Sequence, residues 1–301
     1  MNTKTVILIT GPTASGKTSL ALSTATHYKT AIISADSRQC FIEMNIGVAK
    51  PSAHELEAVP HHFINSHSIH QEVNAATFAL YANEAAEKIF EKNDVLVMAG
   101  GTGLYIRSFL EGLDDIPEVS ADIRENILKQ YEQQGLQWLQ EEVRANDPEF
   151  FLKGEIKNPQ RLMRALEVKL GTGRSIKDFH SRVPAGGVAE KYKVVKYAID
   201  ISREQLYDNI NSRVDKMMQD GLLEEVKALV PYRNLNALQT VGYTELFDHL
   251  DGKLSLNEAV EKIKQNTRNY AKRQMTWFRK EKGIQWISPL AGVARSAGGG
   301  P

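Results

Sequence analysis

Gly11, Pro12, Thr13, Ala14, Ser15, Gly16, Lys17 and Thr18 spell G-x-x-x-x-G-K-[ST], and this run constrains the chain more than any other. Upstream, Val6, Ile7, Leu8 and Ile9 read as a buried strand; downstream, Ser19, Leu20, Ala21 and Leu22 begin a helical pattern. Between a strand and a helix, Gly11 and Gly16 let the backbone curl so that successive amides face one anion. The helix N-terminus adds its dipole. Lys17 supplies a mobile charge for the outer phosphates, and the Thr18 hydroxyl suits a Mg²⁺ bound to them. The motif therefore predicts a bound di- or triphosphate, and leaves open what becomes of it.

The 301 residues suffice for one large α/β domain with a smaller appended or inserted one. No apolar run approaches the roughly 18 residues of a membrane span. Cys40 is the only cysteine, so no intrachain disulfide or cysteine-based zinc site can form, and a reducing, cytoplasmic setting is expected. Lys+Arg and Asp+Glu both number 37, so overall charge says nothing for or against nucleic acid. Its distribution does. Between Arg268 and Lys282 the chain carries Arg268, Lys272, Arg273, Arg279, Lys280 and Lys282 against a single acid, Glu281.

Residues 31–34 read as a second strand ending before Asp36, and residues 95–99 as a third, closed by Gly100 and Gly101. Asn74 caps a helix from about 75 to 92, with Val73 and Phe78 as its hydrophobic staple. Alternating helices and unbroken apolar strands predict a P-loop NTPase-like parallel sheet flanked by helices. From 116 to 190 only polar amphipathic helices appear, over 121–134, 136–145 and 159–170. A strand over 194–199 then resumes the pattern. The expectation is a core of residues 1–115 and 191–290 with an inserted all-helical domain, and a disordered tail over 291–301. Ser202 with Gln205, and Ser255 with Glu258, predict capping boxes opening two long helices, ending near Leu229 and Gly283.

A nucleotide-hydrolysing protein of this kind usually ends a later apolar strand with an Asp that organises Mg²⁺ and water. Here that strand runs into Gly100, Gly101, Thr102 and Gly103, with no acid. Such a protein holds phosphates rather than hydrolysing a nucleotide, and the glycines would let a substrate approach the backbone closely. Asp36 is the acid in place: it follows the second strand and can serve as metal ligand or general base. Ser37, Arg38 and Gln39 extend it with groups able to read a planar polar substrate. Lys264, Arg268 and Lys272 repeat along one face of the last helix, with Val260, Ile263, Thr267, Tyr270, Trp277 and Phe278 opposite. The scarcity of acids and the interleaved aromatics point to a nucleic-acid backbone. In the insert, Asn158 and Pro159 start a helix from which Gln160, Arg161 and Arg164 project.

Together these segments resemble the tRNA dimethylallyltransferases, in their compact bacterial form. The matches are 11–18, 36–39, 46–51, His61 and His62, 100–105, 159–167, 241–243 and 270–279, in family order over nearly the whole chain. The resemblance implies transfer of a dimethylallyl group from its diphosphate to N6 of the adenosine 3′ of the anticodon in tRNA, releasing diphosphate. It implies a Mg²⁺ cofactor, held at Thr18, and a monomer that engages the anticodon stem-loop. It assigns catalysis to Asp36 as general base, Thr102 at the reaction centre and Arg213 on the diphosphate. It gives tRNA contact to Asp36, Ser37, Arg38, Gln39, Thr102 and Arg124. Gln160, Arg161, Leu162, Met163 and Arg164 join them, and the basic helix adds Lys272, Arg273 and Arg279. Departures are Phe41 for the usual Tyr, Asn45 and Val48 for Asp and Thr, and Asn209 where many relatives carry Arg.

Two other readings accommodate the same loop. A P-loop small-molecule kinase would pair it with Asp36, but has no use for the basic helix. A nucleotide-dependent RNA-binding switch without catalysis would need the acid that is missing after Ala99.

Overall fold

The computed structural model describes residues 3–179 and 186–288. It divides into two compact units, one of residues 1–110 and 188–301, the other Glu111–Gly187. The insert thus begins and ends a few residues before the expected 116 and 190, and the expected tail lies outside the described residues.

The first unit opens with β1 (Thr5–Thr10), α1 (Lys17–Tyr28), β2 (Ile32–Ala35), α2 (Ala53–Ala58), β3 (His61–His62), α3 (Ala75–Phe90), β4 (Val95–Gly100) and α4 (Gly103–Glu111). The second unit holds α5 (Ala121–Asn146), α6 (Pro148–Lys153) and α7 (Pro159–Thr172). The chain then returns with β5 (Lys193–Ile199), α8 (Arg203–Gln219), α9 (Leu222–Leu229), α10 (Tyr243–Leu250), α11 (Leu256–Phe278) and β6 (Ile284–Ile287). The six strands are parallel, in the order β3-β2-β4-β1-β5-β6. Alternate residues feed opposite faces. Val6, Leu8, Ile33, Leu96 and Met98 join the larger core, while Ile7, Ile9, Ile32 and Val97 pack beneath α1. A sheet covered on both faces explains why its strands read as unbroken apolar runs.

Two strands escaped the sequence reading. β3 is too short to show a period, and β6 places Gln285 and Trp286 on a sheet edge with little burial. The helix expected from Ser202 to Leu229 is two helices, because Gly221 takes the left-handed φ of 100° between α8 and α9. Ser202 caps α8, but Gln205 turns its side chain to Asn209 (2.9 Å) instead of closing the box. Ser255 and Glu258 do close theirs. α11 stops at Phe278 rather than near Gly283, whose positive φ turns the chain into β6.

In the second unit, Gly135 (φ 77°, ψ −167°) breaks α5 where two helices were expected. Ile127, Leu139, Val143, Phe150, Leu162, Ala165 and Leu166 form its core. α6, not anticipated, is capped by the buried Asp147, which also accepts from the Ser175 hydroxyl at 2.7 Å. Asn158 caps α7 with Pro159 in the first turn, as its sequence predicts.

Candidate active site

Strand register assembles the site. Thr10 lies level with Gly100 on one side and Ala198 on the other, and Gly100 is level with Ala35. The residues that follow, Gly11, Asp36 and Gly101, therefore leave three neighbouring strands along one line, at the carboxyl edge where parallel sheets bind ligands. The phosphate loop curls there through Ala14 (φ 63°) and Gly16 (φ 90°). Pro12 O accepts from Lys17 Nζ at 3.3 Å. Burial, reinforced by the Arg213 charge and opposed by Asp36, brings the Lys17 ammonium down to about 8. Arg213 reaches in from α8, its Nη1 3.4 Å from Thr13 Oγ1, and burial lowers its pKa as well. One turn earlier, Asn209 Nδ2 donates to Ala14 O at 3.0 Å, so the residue that replaces an Arg props the loop instead. The Ser15 hydroxyl is buried and has no hydrogen-bond partner among the described residues. Two desolvated cations and an unpaired hydroxyl facing one cavity form a site for a multiply charged anion.

Asp36 lines the same cavity. Its Oδ1 accepts from the Arg38 and Gln39 amides at 2.9 and 3.3 Å, which fixes the carboxylate through one oxygen and keeps the other for chemistry. Thr102 is tied to this turn at both ends: its N–H donates to Ala35 O and its Oγ1 accepts from the Ser37 amide, each at 3.1 Å. The Tyr270 phenol of α11 lies beside Thr102, and burial, with Asp36 adding to it, pushes it up to about 12. Gln39 is engaged within the protein, accepting from Ser34 Oγ (3.1 Å) and donating to Val48 O and Ala49 O. The glycines have a different purpose from the one expected. A Cβ on Gly100 would lie 2.2 Å from Ala35 O, one on Gly101 2.2 Å from Gln274 Nε2, and one on Gly103 2.4 Å from the Trp277 ring. Protein, not substrate, fills the space they leave.

The segment after Phe41 is held from α9. Glu225 accepts from the amides of Asn45 (3.0 Å), Ile46 (2.8 Å) and Gly47 (3.0 Å), and from the Tyr243 hydroxyl at 2.6 Å. Gly47 is required because a Cβ would enter the Tyr243 ring, which is wholly buried. Lys50 Nζ donates to Phe41 O, Asn45 Oδ1 and Asn65 Oδ1, so Asn45 serves this segment as an acceptor. Phe41 is itself 2% exposed and packs in the core. Tyr243→Phe should lower unfolding free energy by about 1.5–3 kcal/mol, the worth of a buried bond to a charged acceptor. A thermal melt checks it, and an unchanged midpoint would leave the Glu225 carboxylate satisfied by the three amides alone.

A family model described as IPP transferase matches residues 39–281. A tRNA dimethylallyltransferase of Christiangramia forsetii is 46% identical over 283 residues, covering 94% of this chain and 92% of the relative. The chain belongs to the IPP transferase family. Another relative, tRNA dimethylallyltransferase 1 of Phocaeicola vulgatus, is 42% identical, covering 95% and 94%. Among solved structures, the full-length tRNA isopentenylpyrophosphate transferase of Bacillus halodurans superposes with a TM-score of 0.69 at 33% identity, over 95% of this chain and 90% of that one. A eukaryotic dimethylallyltransferase acting on tRNA gives 0.80 at 25% identity, over 98% and 77%. Membership in the IPP transferases makes the chain a prenyl-transferring enzyme, and the kinase reading is not favoured.

The RNA-facing residues expected of an IPP transferase fare unevenly. Lys272, Arg273 and Arg279 are exposed on and just beyond α11. Lys264 and Arg268 are not part of that face: Lys264 pairs with Asp215 (2.8 Å) and Glu261 (3.0 Å), and Arg268 donates to Asn211 Oδ1 at 2.6 Å over the Tyr207 ring. The aromatics are structural too, Phe278 being 1% exposed and Trp277 covering Gly103. In the second unit Arg124, Gln160 and Arg161 are exposed. Arg161 pairs with Glu155 (3.0 Å) and Arg164 with Glu167 (2.7 Å). Leu162, expected to touch tRNA, has no exposed surface, and Met163 packs against the same core. Their positions are set by the helical period of α7, which turns Leu162 inward while Arg161 faces out.

Thr18 is exposed in the first turn of α1, and no group of three or more His, Cys, Asp or Glu able to hold a metal occurs among the described residues. That donor set fits Mg²⁺, which keeps several waters and is held largely by substrate phosphates. No described helix is long and apolar enough to cross a membrane.

Proposed function

We propose that this chain transfers the dimethylallyl group of dimethylallyl diphosphate to the exocyclic N6 of the adenosine 3′ of the anticodon in tRNA, acting as a cytoplasmic monomer. The observation that carries this reading is one cavity lined by Lys17, Arg213 and Asp36, anion site and carboxylate together, with no acid at the end of β4. In the reaction N6 forms a bond to C1 of the donor while the C1–O bond breaks, and its electron pair leaves on diphosphate. The N6 proton passes to Asp36. Lys17, Arg213, the Ser15 hydroxyl and the loop amides hold the charge that grows on the departing oxygens. A Mg²⁺ bound through Thr18 and the diphosphate would supply further charge to the leaving group. Thr102, fixed by the Ser37 amide and Ala35 O, sits beside the Asp36 turn to orient the reacting groups. An adenine stacked in a loop must be extruded to reach such a cavity.

Incubation with dimethylallyl diphosphate and an anticodon stem-loop should add one dimethylallyl group to the RNA, read by mass spectrometry and mapped to that adenosine. An RNA that gains no mass, with donor and Mg²⁺ saturating, would overturn the reading.

The basic residues of α11 and α7 should act differently. Phosphate contacts add affinity that falls with salt. Arg273→Glu or Arg279→Glu should raise the tRNA dissociation constant and flatten its salt dependence, with donor binding unchanged. Arg161→Ala and Arg164→Ala should also lower turnover by misplacing the loop. Filter binding across a salt series, paired with turnover, separates the two groups; tRNA affinity indifferent to all four would make these faces merely solvated.

A further inference from the structure

Gln274 lies on the packed side of α11, in a stripe that otherwise holds Ala259, Ile263, Ala271 and Phe278, and is 6% exposed. An apolar side chain would satisfy such a position by packing alone. Instead the amide makes two bonds in opposite directions: Oε1 accepts from the Thr13 N–H at 2.9 Å and Nε2 donates to Gly101 O at 3.0 Å. The orientation is set by chemistry, since an amide nitrogen can only donate and a carbonyl can only accept. One side chain therefore joins the first limb of the phosphate loop to the end of β4, just before Thr102. Gly101 lacks a side chain because Gln274 occupies its space. The bond also decides which amides serve the anion. Thr13 N–H is committed to Gln274 and Ser15 N–H to Pro12 O (3.3 Å), so the phosphate-facing donors come from the rest of the loop.

We propose that Gln274 is a positioning residue for the transfer, setting the distance between the phosphate loop that holds the donor and the strand end that carries Thr102. It acts through Thr13 and Gly101 rather than on substrate, and its catalytic part rests on the reaction proposed above. Displacing reacting groups by about 1 Å can cost about 10²-fold in rate. The amide, with both a donor and an acceptor, is the property that matters. Leucine supplies neither. A neutral glutamic acid supplies both, whereas a glutamate carboxylate cannot donate to Gly101 and adds negative charge beside an anion site.

The test measures binding of inorganic diphosphate by calorimetry, kcat and the two KM values, and the thermal midpoint, for wild type, Gln274→Leu and Gln274→Glu. Gln274→Leu should weaken diphosphate about 10-fold and lower kcat about 10²-fold, with the KM for RNA within about 3-fold. For Gln274→Glu, the ratio of its diphosphate dissociation constant to that of wild type should approach one at low pH and climb as the carboxyl ionises. Gln274→Leu should show no such trend. If both variants melt earlier yet bind diphosphate and turn over, per folded molecule, within about 2-fold of wild type, Gln274 only stabilises the fold and the proposal fails. Because diphosphate binding does not require prenyl transfer, a wild-type enzyme that modifies no RNA would overturn the reaction while these constants still decide the role of Gln274.

Discussion

Asp36→Asn should leave the protein folded and its donor and tRNA affinities within a few-fold of wild type, while single-turnover prenylation of pre-bound RNA slows about 10²–10⁴-fold. The structure makes this substitution a clean probe. Both backbone bonds to Asp36 arrive on Oδ1, and an asparagine Oδ1 accepts them equally well, so the turn that places Ser37, Arg38 and Gln39 is retained. What is removed is the negative charge and the lone pairs of the second oxygen. An unchanged single-turnover rate would reduce Asp36 to a residue that shapes the turn and send the N6 proton to solvent.

Lys17→Ala should weaken donor binding and cost a factor of about 10² or more in turnover at saturating donor, because its ammonium faces the diphosphate throughout and the charge on it grows as it departs. Near-wild-type turnover would refute the role. The wild-type enzyme carries a second signature of the same group. Its ammonium is lowered to about 8 in the free protein, by burial first and then by Arg213. Above that pH the free enzyme is largely neutral at Lys17, and a bound diphosphate raises the pKa again, so binding takes up a proton. Donor affinity should therefore fall as pH rises through about 8. Lys17→Arg, which stays charged across that range, should lose the dependence. A pH series of donor dissociation constants that is flat for wild type would place the charge elsewhere.

The parts of this site that were legible in the sequence are those whose chemistry is local. The phosphate loop is contiguous, and Asp36 follows its strand directly, so spacing alone put both at the sheet edge. Asn74, Asn158 and Ser255 cap helices through residues only two or three positions away. What stayed hidden depends on residues far apart in the chain. Gln274 stood in view within the basic helix, but nothing in a helical period distinguishes a buried amide that spans a loop and a strand from one facing water. Glu225 likewise reads as one of two adjacent acids on α9, and only the fold brings three amides and a phenol to it. The glycines at 100, 101 and 103 were noticed for the right reason, close approach, and assigned the wrong neighbour. Arg268 and Lys264 show the limit of charge patterning, since a basic residue at i+4 spacing turns toward a partner helix as readily as toward RNA.

β1 has a consequence for how the enzyme comes into being. It precedes the other described strands and lies inside the sheet, yet its neighbour β5 follows the whole helical unit, and the Thr13–Gln274 contact spans 261 positions of sequence. Pairings this remote form late, because the chain must first be brought together over long closures. On the ribosome, the loop emerges before both of its distant anchors, and its contacts with Asn209 and Gln274 wait for α8 and α11. The full set of contacts that fix the loop therefore forms only once α11 has been made. A chain ending before α11 would carry the whole phosphate motif and the Asn209 prop, and would lack the Thr13–Gln274 bond that ties the loop to the end of β4.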